Sequence, residues 1–215
     1  MRTTCLPARL LAPALGAAAL ALSACATTPY TGPVEVTRFV APAPSGLGQG
    51  PIVVHFPDEM SNVSARTAIK AAVERELQAQ GYTIVAQEGR GIQVAAVRST
   101  RTPIAASDQS QRGPVSVGVG GSTGSYGSGL GMGIGINLGG GREGPAVITE
   151  LSVRITRDDA SALWEGRAQL ATGVKSPYSN VDTSARTLAA GLFRDFPGGN
   201  GETVTISVKK LQAKK

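Results

Sequence analysis

Apolar side chains change their spacing along this chain, and that change confines it to folds mixing helix with strand. Residues 34–40 (VEVTRFV), 147–156 (VITELSVRIT), 162–170 (ALWEGRAQL) and 203–208 (TVTISV) alternate apolar and polar, as half-buried strands do. Short apolar runs at 52–56 (between Pro51 and Pro57), 82–86 and 92–97 read as further strands, with a loop at 41–50 and a turn at 87–91. Two segments switch to helical spacing. In 64–80, Ala65, Ile69, Ala72, Val73 and Leu77 share one face, Ser61, Asn62 or Ser64 can cap the start, and Gly81 follows the end. In 183–196 the face is Ala185, Leu188, Ala189, Leu192 and Phe196, with Asp182 or Thr183 as cap and 197–200 (PGGN) as the stop. The expected fold is α+β: a mixed or antiparallel sheet with two main helices on one face, plus a Gly-rich β-hairpin.

That hairpin is the reading of 112–144. Glycine alternates there with Val, Leu, Met and Ile at period two in both arms (VSVGVGG, then LGMGIGINLGGG), with GSTGSYGSG between. One face would be apolar and the other bare. Glycine weakens strands through backbone entropy, so such a hairpin is marginal alone unless another surface approaches its bare side.

The N-terminus carries an address. Arg2 and Arg9 precede an apolar run of 13 residues, 10–22, which ends in Leu22-Ser23-Ala24-Cys25. A helix of that length reaches only about 20 Å, short of the roughly 30 Å hydrocarbon core, so a secretory signal fits better than a retained span. The four residues resemble a bacterial lipobox, with cleavage after Ala24 and acylation (diacylglycerol, then an N-acyl chain such as palmitate) on Cys25. An ordinary signal cut after Ala24 is the competing reading. Cysteine usage favours lipidation. Of the two cysteines, Cys5 leaves with the signal and Cys25 would otherwise be a lone thiol in an oxidising compartment. Ala26 stands where Gram-negative lipoproteins kept at the inner membrane carry Asp. The expected location is therefore the outer membrane, on its periplasmic face.

The expected divisions are a signal at 1–24, a lipidated tether at 25–33, one domain at 34–210 with the glycine hairpin inserted, and a basic tail at 211–215. Loss of Arg2 and Arg9 lowers the formal net charge from +6 to +4. The positives are scattered apart from Lys209-Lys210 and Lys214-Lys215, and aromatics are 4% of the chain, so no basic, aromatic-interleaved stripe for nucleic acid is present.

The order of features has a likeness. A lipobox is followed by a short strand, a helix ending Gly81-Tyr82 and a glycine-alternating middle. A hairpin carries Leu163-Trp164-Glu165-Gly166-Arg167-Ala168, and a late helix ends Phe193-Arg194-Asp195-Phe196-Pro197. Over most of the mature chain this resembles the domain-of-unknown-function 4136 family of Gram-negative lipoproteins, although the Asp-rich first strand of that family is missing. The resemblance implies an α+β envelope domain without an established activity.

Catalytic chemistry is not written in the residues. His55, the single histidine, falls in a short apolar strand and reads as a core or edge side chain rather than a triad base. Asp158-Asp159 suits a turn better than a metal site, and the glycines of 118–141 lack the Gly-Lys-Ser/Thr of a phosphate loop. No enzyme activity, cofactor or metal is expected. Trp164, the one tryptophan, is a core or cross-strand anchor, with a ligand-facing role as the alternative. The expected function is that of a membrane-anchored envelope module meeting protein or cell-wall partners. A small-ligand or lipid carrier is one alternative, and an oligomeric membrane-inserting hairpin another.

Overall fold

The computed structural model describes residues 29–42, 44–58, 60–104 and 145–212. The signal, Ala24, Cys25 and the glycine-rich 112–144 lie outside the described residues. Seven strands form one open sheet in the order β3-β2-β4-β5-β6-β1-β7. They are β1 (Thr31–Val40), β2 (Gly50–His55), β3 (Tyr82–Ile84), β4 (Gln93–Ile104), β5 (Ala146–Thr156), β6 (Ala162–Gly173) and β7 (Thr203–Ile206). Strand β2 is parallel to both β3 and β4, and the remaining pairs are antiparallel. The fold is α+β with a mixed sheet, as the spacing predicts.

Helices α1 (Val63–Ala79) and α2 (Val181–Leu192) share a core with one face of the sheet. Helix α1 presents Ile69, Ala72, Val73 and Leu77, and α2 presents Ala185, Leu188, Ala189 and Leu192, all within 5% exposure. Opposite them stand Val34 and Val36 of β1, Leu151, Val153 and Ile155 of β5, and Ala168 and Leu170 of β6. Those alternate positions are the period-two signal made physical. Asn62 caps α1, its side chain accepting from the Ala65 N–H at 2.9 Å. Gly81 ends it at φ 107°, where a Cβ would sit 2.7 Å from the Gly48 carbonyl oxygen.

Several boundaries differ from the sequence reading. Thr31–Pro33 belong to β1 rather than to a tether, with Pro33 inside the register shift between Thr31 and Val34, where a missing N–H disturbs the ladder least. Strand β4 continues past Val97 to Ile104, paired residue for residue with β5. Residues 82–86 and 92–97 are not neighbours joined by a turn, because β2 lies between them. The cap of α2 is Asn180, whose side chain accepts from the Asp182 N–H at 2.9 Å, and the helix stops at Leu192 instead of 196. After β7 the chain forms a short helix α3 (Val208–Gln212) that buries Val208 and packs Leu211 on the core, so folded structure extends into the expected tail.

Candidate functional site

The residues flagged by sequence fall in separate places. Trp164 is core, 1% exposed, with its indole N–H donating to the Pro197 carbonyl at 2.9 Å. Its ring stacks on Phe193 with centroids 5.3 Å apart and meets Phe196 at 5.2 Å. Gly166 makes room: a Cβ there would strike the Trp164 ring and stand 2.7 Å from Leu192 Cδ1. His55 is not buried, correcting the core reading. It ends β2 with a side chain 49% exposed, and its Nδ1 is 3.4 Å from Glu88 Oε1. Its neighbour Val54 faces the helices, so the strand's alternation turns His55 the other way. Asp158 and Asp159 hold backbone, accepting from the Gly91 N–H and the Ser161 N–H, each at 2.8 Å. Hydrogen bonds from Ser161 keep the Asp159 carboxyl below its ordinary value. Among the described residues, no three His, Cys or acidic side chains gather as a metal site.

Three polar arrangements were not singled out in the sequence. Arg38 lies at 5% exposure beneath the end of α2. Its Nε donates to the Leu192 carbonyl at 2.9 Å, and one terminal nitrogen donates to Gly191 at 2.9 Å and Arg194 at 2.8 Å. Those carbonyls carry the negative end of the helix dipole, so a buried cation suits them. Burial pulls the guanidinium below its ordinary pKa, while the Asp195 carboxylate acts the opposite way. The signal was present: Arg38 is in phase with Val34 and Val36, a charge at a core position.

Tyr82 and Gln93 tie the 44–49 loop to the sheet. The Tyr82 hydroxyl accepts from the Gly48 N–H at 2.8 Å, while the Gln93 side-chain amide donates to the carbonyls of Gly46 and Gln49 at 2.9 and 3.0 Å. Burial raises the phenol's pKa and the Gly48 bond opposes it.

On the sheet face away from the helices, Thr100, Glu150, Gln169, Glu35 and Thr205 stand in register across β4, β5, β6, β1 and β7. Gln169 donates to Glu150 at 2.5 Å, and Arg167 Nε is 3.4 Å from the other Glu150 oxygen. Gln169 Oε1 and Glu35 Oε2 are buried and carry no hydrogen-bond partner. Burial raises the Glu35 pKa. Glu35 alternates with core valines, so its sequence position suggests only a solvent face.

Two open depressions stand out among the described residues. A groove of about 840 Å³ runs between α1 and α2, where Ala190, Phe193, Phe196 and Leu211 meet Arg75 and Arg186. A cleft of about 500 Å³ lies where the 88–92 and 156–160 loops meet. Trp164 lines neither.

No protein-family model matches the chain, and no curated protein matches it. Among solved structures it is similar to a PDZ domain protein from Parabacteroides distasonis (TM-score 0.47, 15% identity), over 88% of this chain and 41% of that one. The chain thus spans about two-fifths of that protein's length. It is also similar to the PelC dodecamer from Paraburkholderia phytofirmans (TM-score 0.35, 12% identity), over 74% of this chain and 92% of that one.

Proposed function

We propose that this chain is a lipid-anchored envelope lipoprotein whose domain acts by contact rather than by catalysis. The carrying observation is one of distance along the chain. Cys25 of Leu22-Ser23-Ala24-Cys25 is six residues before Thr31, where β1 enters the sheet. Acylation of Cys25 would hold an interior strand of the domain directly at a membrane, and two acyl chains already give stable anchoring. Ala26 after the cysteine favours the periplasmic face of the outer membrane. The buried Arg38 and Trp164 and the half-buried Gln93 lend support, because their side chains are committed to holding backbone carbonyls. An envelope protein or the cell wall is the partner class. The test is fractionation of cells expressing the wild type or Cys25→Ala. The wild type is expected with outer membranes and the variant in the soluble periplasmic fraction; identical fractionation would count against the anchor.

A carrier of small ligands is the second reading, favoured by the α1/α2 groove with its aromatic floor and arginine rim.

A further inference from the structure

We propose that the domain meets the membrane end-on, through the end of the sheet where β1 begins, with an anionic lipid surface as the partner. This rests on the anchored reading above. The topology brings four chain points to that end. Thr31 pairs with Thr172, Ala146 pairs with Gly173 and with Ile104, and the Tyr30 carbonyl accepts from the Gly173 N–H at 2.9 Å. The anchor strand therefore enters here, and the chain leaves for and returns from residues 105–144 here as well.

Reach limits the choice of surface. The six residues from Cys25 to Thr31 extend at most about 20 Å, whereas β1 rises roughly 30 Å from Thr31 to Val40. The Thr31 end is thus held close to the headgroups while the Val40 end lies a strand's length further along.

Charge and polarity select the end-on pose over a domain lying on its side. Next to Gly173, Val174 is 45% exposed and Lys175 is exposed; Arg101 is exposed on β4 nearby, donating to the Ser179 carbonyl at 2.7 Å. An exposed valine beside two cations suits an interface of acyl chain and anionic headgroup, where cations near the surface are attracted to the anionic lipid. Asp182, at the start of α2, is the acidic group closest in sequence to Lys175. The far end is different. Its loops carry Glu88, Asp158, Asp159, Asp195 and Glu202 beside Arg90, Arg157 and Arg194, an acidic balance that an anionic surface repels.

The experiment uses the full, acylated protein. With Cys5 removed and Cys25 blocked by its lipid, Lys175→Cys and Asp159→Cys each offer one thiol for a fluorophore. Each labelled protein is reconstituted into phosphatidylethanolamine–phosphatidylglycerol vesicles containing a nitroxide-headgroup lipid. Quenching several-fold stronger at 175 than at 159 is expected. Equal quenching at both, or stronger quenching at 159, overturns the end-on pose. The mass of each protein is read before reconstitution, and an unacylated Cys25 overturns the anchored function and this inference with it. Acylated protein with the wrong quenching pattern overturns only the pose.

Discussion

Arg38 Nε lies 2.9 Å from the carbonyl oxygen of Leu192, joining strand β1 to the last turn of helix α2 across 154 residues of sequence. The same guanidinium holds Gly191 and Arg194, and Gly198 leaves space for it: a Cβ there would be 2.7 Å from Arg38 Cδ. One buried cation thus ends the helix and fixes the turn that follows.

Arg38→Ala is expected to destabilise the domain by roughly 3 kcal/mol, through lost charge-assisted bonds and carbonyls left buried without donors. Arg38→Lys recovers only part of this, because an ammonium cannot reproduce the planar fork that reaches three carbonyls. Urea melts with a lowered midpoint and an unchanged slope are the expected result. A midpoint equal to wild type for Arg38→Ala would refute this role.

Gly166→Ala is expected to cost about 2 kcal/mol by overpacking against the Trp164 ring and Leu192. Trp164→Phe removes the bond to Pro197 as well as ring volume, and is expected to cost a similar, roughly 2 kcal/mol. Thermal unfolding followed by near-ultraviolet circular dichroism measures both. Unshifted transitions would show that the aromatic cluster can rearrange without penalty.

Glu35 makes stability depend on pH. Its folded pKa is raised by burial, so the folded state holds the proton more tightly than the unfolded chain. This contribution is fully present below the ordinary glutamate pKa and is lost as pH rises through the raised value. Glu35→Gln is expected to remove that part of the pH dependence and to stabilise the domain near neutral pH by about 1 kcal/mol, since its amide can donate to Gln169 Oε1. Midpoints measured across acidic to neutral pH check this. A variant that keeps the wild-type slope would assign the dependence to other groups.

Asn180→Ala is expected to cost about 1 kcal/mol by freeing the Asp182 N–H at the start of α2, whereas Asp182→Ala leaves that cap bond in place. Equal effects of the two substitutions in chemical denaturation would contradict the cap assignment.

The fold was legible where one spacing persisted. Helix α1 could be read because five apolar positions, a capping Asn62 and a terminal Gly81 all agree. The far half of β4 could not, because RSTRTPI offers no alternation. Those residues are strand because β5 pairs with each of them. The end of α2 depends on Arg38, a long-range contact that local spacing does not reveal. Helix α3 has only five residues and two apolar anchors, Val208 and Leu211, too few for a period. For the site, the proposed lipidation at Cys25 could be read because Leu22-Ser23-Ala24-Cys25 is contiguous in sequence. The polar row of Glu35, Gln169 and Glu150 is assembled by register from three strands and leaves no mark in any one of them.

The proposed anchor on Cys25 can be read from the intact mass of the mature N-terminal peptide from membranes. A chain beginning at Cys25 with glyceryl-linked and N-linked acyl mass is expected, absent from Cys25→Ala. A mature chain beginning at residue 25 with an unmodified thiol would contradict it.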